Sequence, residues 1–143
     1  MPSFRIGDSE REYLSVEILA YERPASGEYH DDNWVVANVS LSVGGFQGRF
    51  GATFLTEELV RFRDEVSTLY SSLSGNARFN TLEEQLTLSL TGNGRGSVAL
   101  NGIAIDRAGD GNRFEFRLSL DQTYLAESLR GLNEIIASYP VRA

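Results

Sequence analysis

Apolar and polar residues alternate along much of this chain, and twice the alternation gives way to a three- and four-residue spacing. Leu14, Val16, Ile18 and Ala20 alternate with Ser15, Glu17 and Leu19, the two-residue period of a strand with one buried face. Val35, Ala37, Val39, Leu41 and Val43 repeat the pattern against Asn38, Ser40 and Ser42. Gly44-Gly45 then predicts a hairpin turn, because paired glycines reach positive φ without steric cost. The return strand carries Phe46, Phe50, Ala52 and Phe54 on one face and Gln47, Arg49 and Thr53 on the other.

At Thr56 the period changes. Thr56 reads as a helix N-cap, with Glu57 and Glu58 complementing the positive end of the dipole. Leu59, Phe62, Val66, Leu69, Tyr70 and Leu73 form one helical stripe, and Gly75 reads as its stop. Strands resume with Leu82, Leu86, Leu88 and Leu90 against Glu84, Thr87 and Ser89, followed by a turn at Gly92-Asn93-Gly94-Arg95-Gly96. Val98 and Leu100 come next. Asn101-Gly102 then predicts a phase slip, a bulge or bend that carries the apolar face on through Ile103 and Ile105. Gly109-Asp110-Gly111-Asn112 makes a turn, and Phe114, Phe116, Leu118 and Leu120 the last strand. Asp121 caps a second helix with Leu125, Leu129, Leu132, Ile135, Ile136 and Tyr139 on its stripe and Pro140 at its end. Gly131 inside that helix costs about 1 kcal/mol relative to alanine, which a close approach of helix to sheet would explain.

The order is β-β-β-α-β-β-β-α, with Phe4-Arg5-Ile6 as a further edge strand. This is an α+β class: a largely antiparallel sheet of six to seven strands, with two one-sided helices packed on one face. A length of 143 residues fits one domain, 1–143. Both halves run strands then helix, an order compatible with a pseudo-repeat, although residue identity between them is poor. The opposite sheet face, carrying Asn38, Ser40, Arg49, Ser89, Glu115 and Arg117, is either simply wet or a docking surface.

Composition narrows the chemistry. The 13 basic residues are all arginine, cysteine is absent and His30 is the one histidine. Disulfides, thiolate metal sites and a cysteine nucleophile are therefore excluded. The start lacks a basic segment followed by an apolar core, so no secretory signal is expected and a cytoplasmic location fits. No apolar run reaches the roughly 18 residues that cross a bilayer. Net charge is −7, and residues 1–32 hold eight acids against three arginines. A negative chain repels phosphate backbones and attracts a basic protein; the plainer reading of the charge is solubility.

Motifs for catalysis or cofactors are weak. The glycines at 92–96 fit neither a dinucleotide nor a P-loop pattern, and a strand follows them. Asp106–Asn112 lacks the middle acid of a calcium loop, and Arg117 stands where a bidentate glutamate belongs. His30-Asp31-Asp32 has no second histidine to complete a metal site. Glu83 and Glu84 are neighbours whose side chains diverge on a strand. No Gly-x-Ser-x-Gly elbow is present. No catalytic residue, cofactor or metal is expected. Trp34 is a core or rim aromatic, and at the rim a natural interface anchor.

Several strings nonetheless occur in a distinctive order: Asn33-Trp34-Val35, Gly45-Phe46-Gln47-Gly48-Arg49-Phe50, Leu69-Tyr70 with Leu73-Ser74-Gly75, Phe79-x-Thr81-Leu82-Glu83, Gly92-x-Gly94-x-Gly96, and Asp121-Gln122-Thr123-Tyr124-Leu125 before Pro140. Over roughly residues 13–140 the chain resembles the WapI-type immunity proteins of bacteria, small cytoplasmic partners of wall-associated polymorphic toxins. It departs from the pattern at Ser97, where a histidine often follows the glycines, and in lacking lysine. The resemblance implies a non-enzymatic protein that binds and neutralises a cognate toxin domain, and it transfers no catalytic residues. Were that toxin a basic nuclease, acidic loops would steer or block it. The partner-binding candidates are Glu28, Asp31, Asp32 and Trp34, with Asp106 and Asp110 in later turns. Competing readings are a small-ligand binder or cofactor-free enzyme with a pocket between sheet and helices, and a homo-oligomeric scaffold; the protein is monomer or homodimer.

Overall fold

Each half of the chain is a four-strand meander, and a helix follows each. The computed structural model describes residues 1–143. β1 (Ser3–Gly7), β2 (Glu12–Tyr21), β3 (Trp34–Val43) and β4 (Phe46–Leu55) form one antiparallel sheet in that order, with a single-turn helix α1 (Tyr29–Asp32) between β2 and β3. After α2 (Thr56–Ser72), β5 (Ser74–Phe79), β6 (Leu86–Asn93), β7 (Ser97–Ile105) and β8 (Arg113–Asp121) form the second. A 3-10 turn, Gln122–Tyr124, leads into α3 (Leu125–Ser138). The class is α+β as the alternation predicts. The layout differs: eight strands divide between two sheets, where one sheet of six to seven was expected.

The strand missing from the pattern is β5. Its sequence, Ser-Gly-Asn-Ala-Arg-Phe, buries only Ala77 and Phe79, too short an alternation to register against the preceding helix. Leu82, by contrast, is not a strand residue. It lies in the loop before β6 and is 66% exposed. No phase slip occurs at Gly102, where β7 keeps register with both neighbours. The Phe116 ring lies across the glycine, 2.4 Å from where a Cβ would stand, so Gly102 and Ala104 keep the inner phase while Ile103 and Ile105 face outward. The irregularity falls instead in β2, between Ile18 and Ala20.

The helix ends also differ from expectation. Leu55 occupies the α2 N-cap, and its N–H donates to Glu58 Oε1 at 2.8 Å. Thr56 is the first helical residue; its hydroxyl donates to Asn33 Oδ1 at 2.8 Å. Leu73, with φ of +66°, makes the stop expected at Gly75. Asp121 does cap the 3-10 turn, accepting from the Thr123 N–H at 2.9 Å. Gly44-Gly45 forms a two-residue hairpin turn, with Val43 opposite Phe46.

The helices do not share one sheet face. α2 closes the first half yet lies on β5, the first strand of the second; α3 lies on β1, and the two helices pack on each other. The halves are thereby interlocked with the symmetry of a pseudo-repeat. Inner faces of both sheets and both helices contribute to one cluster of 29 buried residues. Phe79 is its hub, with ring centroids 6.4 Å from Phe4, 5.2 Å from Phe54 and 5.1 Å from Phe62.

Unpaired strand edges invite association with other chains, and side chains close three of them here. Ser128 Oγ on α3 donates to the Arg5 carbonyl of β1 at 2.6 Å. Glu65 on α2 accepts from the Arg78 N–H of β5 at 2.9 Å. Buried Gln85 donates to the carbonyls of Gly51 at 3.0 Å and Ile105 at 3.2 Å, tying β4 to β7. The first half of β4, from Phe46 to Phe50, has no such cover.

Candidate partner-binding surfaces

Residues 22–33 fold back on a buried carboxylate. Asp32, 2% exposed, accepts from Ser26 N at 2.8 Å, Ser26 Oγ at 3.0 Å and Gly27 N at 2.9 Å. The Ser26 backbone bond, helped by the others and by Arg142, holds its pKa below the usual carboxylate range despite opposing desolvation. Asn33 beside it is buried too, donating to the carbonyls of Tyr29 at 2.7 Å and Arg142 at 3.0 Å. These bonds clamp the loop to α2 and the C-terminal segment. Glu28, Tyr29, His30 and Asp31 are left facing out.

Two more segments meet at this end of the molecule. The Tyr29 hydroxyl donates to Glu57 Oε2 at 3.4 Å, and partial burial with the Glu57 charge raises the phenol pKa. Glu58 Oε2 accepts from Leu82 N at 2.7 Å, anchoring the loop that exposes Leu82, Glu83 and Glu84. Burial pushes the Glu58 carboxyl up, with the bonds from Leu55 and Leu82 opposing. Glu28, Asp31, Glu57, Glu83 and Glu84 thus converge from three segments on the start of α2. Arg23 partly offsets them, pairing with Glu22 at 2.8 Å and Asp31 at 3.8 Å, as do Arg61 beside Glu58 and Arg142 beside Asp32. Such a surface can attract and orient a cationic partner; it offers no nucleophile beside a base.

The six sequence candidates therefore separate. Glu28 and Asp31 are presented to solvent, Trp34 is half-buried where β3 begins, and Asp32 is a loop-builder turned inward. Asp106 and Asp110 lie apart from these in the β7–β8 turn, Asp106 alongside the Gly48–Phe50 stretch of β4. Asp106 accepts from Asn112 N at 2.7 Å and Nδ2 at 3.1 Å, bonds that lower its pKa. Asp110 pairs with Arg107 at 2.7 Å. Sequence reading missed Glu57, Glu83 and Glu84 because each has a local explanation, a helix-dipole or strand-end role. Only tertiary contact brings them beside Glu28 and Asp31.

At the Asp106 end the two sheets part over an apolar cleft of about 300 Å³, between the β3–β4 hairpin and the β7–β8 turn. Leu41, Phe50 and Ala104 line its floor, and Arg49 and Arg113 stand among its lining residues. Phe46, 67% exposed, meets Phe114 with ring centroids 5.7 Å apart.

The family model described as the immunity protein WapI-like family matches residues 5–140. The chain belongs to that family. An immunity role, in general terms, comes with membership in the WapI-like family. No curated protein matches the chain. Two solved structures share the fold. One, crystal structures of Trypanosoma bruciei MRP1/MRP2, is 14% identical, covers 96% of this chain and 86% of its own, and has a TM-score of 0.50. The other, a guideRNA-binding protein complex bound to a gRNA, is 13% identical over 99% and 96%, with a TM-score of 0.51. At such identities the likeness is of architecture only. In this WapI-like chain no helix is long and apolar enough to cross a membrane.

Proposed function

We propose that this protein binds and neutralises a cognate toxin domain in the cytoplasm by occupying its surface, without catalysis of its own. The family match over residues 5–140 carries the reading. The acidic end supports its finer form, a cationic toxin face such as a nuclease groove, drawn in by Glu28, Asp31, Glu57, Glu83 and Glu84. Long-range attraction of this kind acts mainly on the association rate and weakens with salt.

The test uses the toxin domain encoded in the genomic neighbourhood. Reversing Glu28, Asp31 and Glu83 to lysine is expected to slow association about tenfold at low ionic strength, and to flatten its salt dependence. Asp32 is left intact because it builds the loop. An unaltered association rate would remove this end from the binding surface. A toxin that remains fully active with wild-type protein in excess would remove the function.

A further inference from the structure

The open stretch of β4 combines three properties. First, its outer edge is free. Val43 and Phe46 flank a two-residue turn, so even-numbered β4 residues bond to β3 and odd-numbered ones point away. The Gly51 carbonyl follows this rule and reaches Gln85, whereas no strand lies beside Gln47 and Arg49. Second, the inner face beneath this edge has a gap one side chain wide. Phe46 and Phe50 flank Gly48, where an added Cβ would meet only Leu41 side-chain atoms, at 3.8 and 3.9 Å. Third, Arg49 faces out beside the gap with no ion pair or side-chain hydrogen bond, in a chain of net charge −7.

We propose that an extended segment of the toxin adds to the first sheet along Gln47–Arg49, placing an apolar side chain in the Gly48 gap and a carboxylate beside Arg49. This rests on the toxin-binding reading and names the recognition element within it. Added strands take affinity from main-chain bonds and specificity from alternate side-chain pockets. Directly opposed residues share a face of the sheet, roughly 5 Å apart between Cβ atoms. The residue opposite Gly48 therefore enters the cleft, and its neighbour meets Arg49 on the outer face. A second copy of this chain is a poor occupant, since it brings the same negative charge. Pairing centred on Gly48 would also leave the gap empty.

The experiment is amide hydrogen exchange of the protein alone and with the toxin domain, read residue by residue, alongside binding of two variants. In the complex the Gln47 and Arg49 amides should exchange at least about tenfold more slowly. The Cβ of Gly48→Trp meets only Leu41 side-chain atoms and its ring occupies the gap, so the toxin should bind at least about tenfold more weakly while the unfolding midpoint holds. Arg49→Glu should also weaken binding, although it makes the protein more acidic, opposite to what bulk steering predicts. Protection confined to residues 28–32 and 81–85, with both variants binding as wild type, would overturn the strand addition and leave toxin binding standing. Concentration-dependent protection of β4 without toxin would assign the edge to a second copy, and protection by an oligouridylate to nucleic acid; either overturns the proposal. Absence of any toxin binding by the wild type removes both readings.

Discussion

Gly131 and Asp32 are places where one atom decides what a side chain can be. An added Cβ at Gly131 would stand 2.2 Å from the Ser3 carbonyl oxygen and 2.7 Å from Phe4 Cα. Both are backbone atoms of β1, and neither can step aside. Gly131→Ala should destabilise the protein by about 2–3 kcal/mol in denaturant unfolding, although alanine is the better helix former. A neutral or stabilising result would mean that α3 does not sit on β1. Asp32 is bonded most strongly as an anion, and its folded pKa is depressed. Its contribution is fully present above the ordinary carboxylate pKa of about 3.9 and is lost as pH falls toward the depressed value. Asp106 and Asp121 are shifted the same way. Raised Glu58 acts in the opposite sense, its contribution falling as pH rises through its folded pKa. Asp32→Asn should lower stability at neutral pH and make the acid limb of the stability curve shallower; an unchanged limb would contradict the carboxylate's role.

Among the elements, edge strands β1 and β5 depend on helices from the opposite half. β5 has little apolar content of its own, and Phe79 is its main anchor, packed against rings from β1, β4 and α2. Phe79→Ala should cost about 3–5 kcal/mol in denaturant unfolding, in the range for a fully buried aromatic. A loss below about 1 kcal/mol would mean the ring cluster is not packed as described. Ser128 interrupts the apolar stripe of α3 for a comparable reason, since its hydroxyl caps a β1 carbonyl. Helical spacing identified both helices because each has a wide apolar stripe. The same spacing could not say which strand each one covers.

Across the whole molecule, the interlock of α2 with β5 and α3 with β1 makes each half incomplete without the other. Unfolding should therefore be one cooperative transition. The lone Trp34, at the start of β3, reports on the first sheet by fluorescence, while far-ultraviolet circular dichroism reports on all elements. The two thermal curves should coincide, and separate midpoints would show that the sheets fold as independent units. Charge is not sorted so simply on this scale: carboxylates gather at the α2 end, while the cleft is lined by Arg49 and Arg113 together with Asp106.

Strand and helix periods, the Gly44-Gly45 hairpin, the Asp121 cap and the family resemblance were legible in the residues. Each is set by neighbours in the chain or by the order of short strings. Two sheets in place of one, the edge residues that close them and the inward turn of Asp32 were not legible. Nor was the meeting of Glu57, Glu83 and Glu84 with Glu28 and Asp31. These depend on contacts between residues far apart in sequence, and a two- or four-residue period records which face of an element is apolar but not what that face will touch.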